Sequence, residues 1–326
     1  MPINIINGNN NPNVLQGTSG IDYMYGNGGD DTLLGGGGDD LLHGGAGGDT
    51  MIGGTGNDKY FVDSAFDKVV ELAGEGDQDS VYASVTFNVP TNIEYYHLQA
   101  GAGSIDAFGN SQDNKIYGNE GDNSIWGGGG NDTIWGDGGN DHLYGGNGND
   151  SLIGGAGADV LRGGLDNDSY WVDNSDTVIE NANEGWDHVY VLNQYTLGAN
   201  LEELTLQGHA GFDLEGNELH NVIEGNSGES RIDGRGGADD LIGHDGNDTF
   251  VFRAGEANGD RVLDFTNLPI NGDDDQLEFQ GYGPCAMFQH IDGTDQWTIS
   301  SADGSIQDTI TLVGVTSVDP SHIHFV

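Results

Sequence analysis

Gly127-Gly-Gly-Gly-Asn-Asp132-Thr-Ile134-Trp135 is followed without a gap by Gly136-Asp-Gly-Gly-Asn-Asp141-His-Leu143-Tyr144 and Gly145-Gly-Asn-Gly-Asn-Asp150-Ser-Leu152-Ile153. Two further nines keep the phase, with Asp159/Leu161 and Asp168/Tyr170 in the sixth and eighth places. A short fixed period decides the architecture before any local propensity does. Glycine in the first, second and fourth places lets the opening six residues turn tightly. The closing three form a short strand whose middle, apolar side chain points to one face while its neighbours point to the other. Two nines then make one flattened coil of two strands and two turns. Successive coils stack at about 4.8 Å, the spacing of hydrogen-bonded strands. The fold class expected is all-β, a parallel β-roll or β-solenoid.

Stacking brings the sixth-place aspartates into columns, because Asp132/Asp150, Asp141/Asp159 and Asp150/Asp168 recur on one edge every second repeat. Two carboxylates one strand spacing apart repel by about 3 kcal/mol at an effective dielectric near 20. Such a column needs a cation to close. The turns offer carboxylate and carbonyl oxygen, with no cysteine and no regularly spaced histidine. All-oxygen ligation in an adaptable loop suits calcium better than zinc, copper or magnesium.

The pattern resembles the Gly-Gly-x-Gly-x-Asp-x-apolar-x repeat of RTX (hemolysin-type) proteins, the calcium-binding β-roll family exported by type I secretion. The resemblance implies several bound calcium ions between turns, a parallel roll, and passage out of a bacterial cell by a C-terminal signal. Carried onto this sequence, the expected metal residues are Asp22, Asp31, Asp40, Asp49 and Asp58 in a first block. They continue as Asp132, Asp141, Asp150, Asp159 and Asp168 in a second block and Asp239 and Asp248 in a third. Asn13, Asn114, Asn123, Asn221 and Ser230 stand in the same place where each block opens. They bring no formal charge, so those sites are expected to be weak.

The expected organisation is roll block 1 over 1–61, an irregular β segment over 62–108, block 2 over 109–171, a second irregular segment over 172–215, block 3 over 216–251 and a C-terminal cap with the secretion-signal region over 252–326. The two irregular segments resemble each other, as Val69-Val70-Glu71 matches Val178-Ile179-Glu180 and Asn92-Ile93-Glu94 matches Asn200-Leu201-Glu202. The chain is thus a tandem repeat laid over the nines. The segments are expected to be irregular parallel coils that continue the stack or fold against it. The apolar tail His322-Ile-His-Phe-Val326 reads either as part of a secretion signal or as an edge strand.

Composition limits the partners. Among 326 residues there are 54 Asp and Glu against 8 Lys and Arg, a formal net charge of −46. Phosphate backbones and anionic lipid surfaces would be repelled, so nucleic acid is not an expected partner. No apolar run approaches the ~20 residues of a membrane helix. The N-terminus lacks a basic and then apolar leader, and the repeats begin almost at residue 1. The expectation is therefore export without a Sec-type signal and no upstream catalytic domain. A single cysteine, Cys285, excludes an internal disulfide framework.

No catalytic motif is recognisable. The weak catalytic candidates are Tyr95, Tyr96 and His97, which replace the plainer Glu203-Leu204-Thr205 of the sister segment. Tyr and His serve as acid and base in polysaccharide lyases and epimerases on parallel β-helices, an analogy at the level of fold. The ninth places of block 2 point outward as two rows. One is Tyr117, Trp135, Ile153 and Trp171, and the other is Trp126, Tyr144 and Arg162. Exposed ring faces could stack on an extracellular polysaccharide, unless the irregular segments cover them. The expected function is that of a secreted calcium-binding roll acting in extracellular binding, matrix or adhesion. The alternatives are a polysaccharide-modifying enzyme or carbohydrate-binding module, and a secreted signalling protein similar to the calcium-binding nodulation proteins of rhizobia.

Overall fold

The computed structural model describes residues 3–266 and 274–326, so the stretch 267–273 of the expected C-terminal cap lies outside the described residues. The chain falls into two units, Met1–Tyr170 with Ser175–Val178, and Trp171–Asn174 with Ile179–Val326. Both are parallel β-solenoid, and the one helix among the described residues is the single 3-10 turn Pro320–His322.

In the first unit each flattened coil contributes a strand to two opposed sheets. Asp22–Gly28, Leu41–Ala46 and Lys59–Val62 pair in parallel on one side, and Val14–Gln16, Thr32–Gly37, Thr50–Thr55 and Lys68–Val70 pair on the other. The register is the repeat itself. Met24 lies opposite Leu42 and Leu42 opposite Tyr60, and in block 2 Ile125 lies opposite Leu143 and Leu143 opposite Leu161. These eighth-place side chains have no exposed surface. Each contributes about 1.5–3 kcal/mol of burial, and the core is a double column of them running along the stack.

Strand length differs from the expected three residues. Thr32–Gly37 runs on through the first three places of the next nine, because Gly36 pairs with Gly54 and Gly37 with Thr55. The glycine turn therefore belongs partly to the ladder. Gly36 takes φ 104° there, and a Cβ on it would strike the carbonyl oxygen of Thr18. Ser151–Ile153 keeps the short form.

The 62–108 segment continues the stack. Ser80–Ala83 pairs in parallel with Lys59–Val62 and with Tyr95–Leu98, and the latter pairs with Lys115–Asn119. Phe87–Asn88 and Ala107–Phe108 lead into Ser124–Gly129 on the other sheet. Alternation preserves an apolar inner face here without the glycines, with Val81 and Ala83 fully buried.

The second unit is built alike. His188–Val191, Glu203–Leu206, Val222–Glu224, Asp240–Ile242 and Arg261–Val262 pair in parallel. Gln307–Leu312 joins Arg261–Val262 and carries the antiparallel strands Gln296–Ser300 and Met287–His290. On the opposed sheet Thr249–Arg253 pairs with Gln276–Gln280, and Ile323–Phe325 is the edge strand beyond it. The apolar tail thus takes the edge-strand position.

Candidate metal centre

The sixth-place aspartates are interior residues. Asp22, Asp31, Asp40, Asp49, Asp58, Asp132, Asp141, Asp150, Asp159 and Asp168 in the first unit, and Asp239 and Asp248 in the second, are at most 2% exposed. The turn that precedes each strand folds the carboxylate back beneath the coil. One oxygen has a fixed use there. Oδ1 of Asp40, Asp49 and Asp58 accepts the backbone N–H of Asp22, Asp31 and Asp40, at 2.7–2.8 Å. In block 2, Oδ1 of Asp132, Asp141, Asp150, Asp159 and Asp168 accepts from the sixth-place N–H one coil earlier, each at 2.7 Å. Asp239 and Asp248 repeat the bond to Asn221 and Ser230, at 2.8 and 2.7 Å.

The other oxygen is bare. Oδ2 of Asp31, Asp40, Asp49, Asp58, Asp132, Asp141, Asp150 and Asp239 is buried and has no hydrogen-bond partner. A bare ionised oxygen in the interior is among the most costly arrangements a fold can hold. Beside it lies a cradle that only glycine leaves open. A Cβ on Gly26 would strike both Asp31 Oδ2 and the carbonyl oxygen of Gly44, one coil on. The same pair of obstacles meets a Cβ on Gly35, from Asp40 and Gly53, and on Gly136, from Asp141 and Gly154. Bare carboxylate and carbonyl oxygens facing a glycine gap are the donor set of a hard, large cation, and calcium fits it.

Charge and burial act together on these groups. Burial, then the charge of neighbouring Asp150, pushes the Asp132 carboxyl up to about 8. Burial, then the charges of Asp40 and Asp79, pushes Asp58 up to about 7, and burial, then the charges of Asp159 and Asp122, pushes Asp141 up to about 7. Asp239 rises to about 8, again from burial first and then its neighbour Asp260. A cation would reverse this by supplying the opposite charge.

The asparagine openings differ in kind. Asn114 Oδ1 accepts from the Asn110 N–H at 2.8 Å and its Nδ2 donates to the Ile93 carbonyl at 2.8 Å. Asn123 does the same with Asn119 and Ile105, and Asn221 with Asn217 and Leu201. The amide oxygen takes the cradle place of an aspartate's Oδ2, since a Cβ on Gly109 or Gly216 would strike the oxygen of Asn114 or Asn221, and the amide nitrogen bonds back to the preceding coil.

Aspartates outside the glycine period extend the ladder. Asp67, Asp79 and Asp176 in the first unit accept from the N–H of Asp49, Asp58 and Asp159, at 2.7–3.0 Å. Asp260 and Asp275 in the second accept from Asp239 and Asp248, each at 3.0 Å. All five keep the closing half of the repeat, Asp-x-apolar-x, as in Asp67-Lys-Val-Val and Asp79-Ser-Val-Tyr. That half was the available signal. A second, exposed ladder runs at the fifth place, where Asp39 accepts from Asn57 and Asp113 from Asn131.

Tyr95, Tyr96 and His97 lie on one strand, and its alternation separates them. Tyr96 is buried and its hydroxyl donates to the Phe87 carbonyl at 2.9 Å. His97 points outward, sandwiched between Tyr82 and Tyr117 with both ring centroids at 4.6 Å. Tyr95 also faces out, with the Lys115 ammonium 5.4 Å from its ring centre.

The outward aromatics form ladders. Tyr25, His43, Phe61, Tyr82, His97, Tyr117 and Trp135 follow one another up one sheet, and the planes of Tyr117 and Trp135 lie 1° apart at 4.4 Å. Phe108, Trp126 and Tyr144 make a shorter ladder on the other sheet. The irregular segment does not cover these rings; it supplies Tyr82 and His97. The two alternatives were open ring faces or cover by the irregular segments, and the ladder is neither. In-register coils bring the rings close enough to cover each other's faces, leaving edges to solvent.

A parallel solenoid with interior columns of aspartate and open glycine cradles defines a calcium-binding β-roll. The repeat family described as the RTX calcium-binding nonapeptide repeat (4 copies) matches residues 7–42, 25–60, 35–67, 108–143, 135–170 and 215–250. Those stretches of the chain are repeats of that family, and such repeats bind calcium. No curated protein matches it. Among the described residues no helix is long and apolar enough to cross a membrane.

Proposed function

We propose that the chain is a secreted protein that stays extended where calcium is scarce, folds on extracellular calcium, and acts outside the cell in binding, matrix or adhesion. The proposed ligands are the sixth-place aspartates, Asp22 to Asp58, Asp132 to Asp168, Asp239 and Asp248. The column of bare, buried Oδ2 atoms carries the reading. It is an arrangement that lacks its counter-charge unless a cation is present, and extracellular calcium-binding modules fill at about 0.1–1 mM. Binding free energy is then folding free energy. An extended chain can thread a type I exporter, and the segment 252–326, which carries no nonapeptide period, would hold the export signal. A catalytic role gains no support from Tyr96, whose hydroxyl is committed inside the roll, or from His97, whose ring is sandwiched.

The test is export from a host with a type I system. The full chain should reach the medium, and the chain lacking residues 267–326 should stay in the cell. Equal export of both through that system contradicts the export half of the reading.

A further inference from the structure

Where the first nonapeptide block gives way to the 62–108 segment, the first place of the repeat holds no glycine. Ile52 pairs with Val70 in the ladder, so Glu71 stands one coil after Gly53. Its side chain turns inward and is 5% exposed, and Asp58 and Asp79 beside it are fully buried. One carboxylate oxygen from each of the three lies within 4.8 Å of the other two.

The second observation concerns what those oxygens touch. Asp58 Oδ1 accepts from the Asp40 N–H and Asp79 Oδ1 from the Asp58 N–H, each at 2.7 Å. Glu71 Oε2 accepts from the Tyr60 hydroxyl. The remaining oxygens, Asp58 Oδ2, Glu71 Oε1 and Asp79 Oδ2, are buried without any partner. Among the described residues, none of the three carboxylates joins an ion pair. Glycine keeps space open around them. A Cβ on Gly53 would strike Asp58 Oδ2 and the Tyr60 hydroxyl, and one on Gly76 would strike Asp79 Oδ2 and the Gly56 carbonyl oxygen.

We propose that Asp58, the last repeat aspartate of block 1, is joined by Glu71 and Asp79 from outside the repeats in one three-carboxylate calcium site, with Tyr60 as the positioning residue that holds Glu71 toward the ion. The donors are all oxygen, which excludes the soft-ligand metals. The pocket is buried, which disfavours magnesium because that ion keeps several waters. Affinity in such sites rises with the number of charged ligands. This site has three carboxylates, with a glutamate at the place where a repeat cradle offers a glycine carbonyl. It should therefore fill at lower calcium than the repeat sites and fix the seam from which block 1 closes. The inference rests on the calcium-binding reading of the repeats but adds ligands from outside them.

The test is a crystal of the full chain grown in calcium, with anomalous difference density at long wavelength. A peak about 2.3–2.6 Å from an oxygen of each of Asp58, Glu71 and Asp79 is expected. In solution, Glu71→Gln should bind one calcium fewer per chain by elemental analysis. Tyr60→Phe keeps all three carboxylates and should raise the calcium midpoint of this site by about 10-fold or more, the usual effect of losing a ligand's support. Filled repeat columns with no density between the three carboxylates overturn the joint site and leave the repeat reading standing. No calcium density anywhere overturns both. If Glu71→Gln does not fold, the wild-type density and the Tyr60→Phe midpoint decide.

Discussion

Oδ1 of Asp150 accepts the backbone N–H of Asp132 at 2.7 Å, while Oδ2 of Asp150 is buried with no partner. One carboxylate thus fixes the register between two coils and leaves a charge in the interior beside the next carboxylate. The bond that builds the stack also creates its need for a cation. Structure and metal dependence come from the same atom pair, repeated along each column.

Replacing a column aspartate should remove metal without removing the hydrogen-bonding capacity of the site. Asp141→Asn would resemble Asn123, whose amide nitrogen donates to the Ile105 carbonyl at 2.7 Å. The expected outcome is at least one calcium fewer per chain and a shallower dependence of folding on calcium. Elemental analysis and a calcium titration followed by circular dichroism check it, and an unchanged ion count contradicts it.

The reverse change should cost stability in the absence of calcium. Asn123→Asp takes the donor from the Ile105 carbonyl and puts a second carboxylate beside Asp141. A loss of about 1–3 kcal/mol is expected from the unpaired buried groups. With calcium present the added carboxylate becomes a charged ligand at a place that was weak, so the same titration should show a steeper dependence of folding on calcium.

The core column should behave as a core. Leu143 is fully buried between Ile125 and Leu161 in the ladder. Leu143→Ala should cost about 2–5 kcal/mol in saturating calcium. Urea unfolding measures it, and a loss below about 1 kcal/mol would place Leu143 outside a packed interior.

The aromatic ladder is expected to stabilise the coils. Tyr117→Leu removes two stacks, with His97 and Trp135, and should cost about 1–3 kcal/mol in melting of the calcium-loaded protein. Any glycan that the loaded protein binds should still bind this variant, because the covered ring faces offer no platform for a sugar. Loss of glycan binding with stability unchanged would reverse that assignment.

Acidity should favour the metal-free fold. Burial and neighbouring charge raise the carboxyls of Asp132 and Asp239 to about 8 and of Asp58 and Asp141 to about 7, from an unfolded value of 3.8. A group whose folded pKa is raised contributes stability that is complete below the unfolded value and is lost as pH rises through the folded one. In chelator, ordered structure should therefore be greatest near pH 4 and fall between pH 4 and 8. Calcium needs the ionised form, so its midpoint should drop over the same range with release of protons. A calcium midpoint independent of pH contradicts this.

The period made the eighth-place core and the sixth-place column legible in sequence, because both depend on the nine-residue count alone. Asp67, Asp79, Asp176, Asp260 and Asp275 lack the glycine half that marks the period, although the strand half of the repeat survives at each. The stacking of Phe61, Tyr82, His97 and Tyr117 was beyond reach for another reason. Lys59 pairs with Ser80 and Ser80 with Tyr95, so these coils differ in length and only the three-dimensional register aligns their rings. The inward turn of Glu71 was hidden in the same way, since it follows from the pairing of Ile52 with Val70.

The central claim is that the bare aspartate oxygens make the fold depend on calcium. Far-ultraviolet circular dichroism of the full chain at pH 7.5, first in excess chelator and then through a titration to millimolar calcium, tests it most directly. The account predicts little strand signal in chelator and a cooperative gain of it with calcium. The same strand content in chelator as in millimolar calcium would contradict the account.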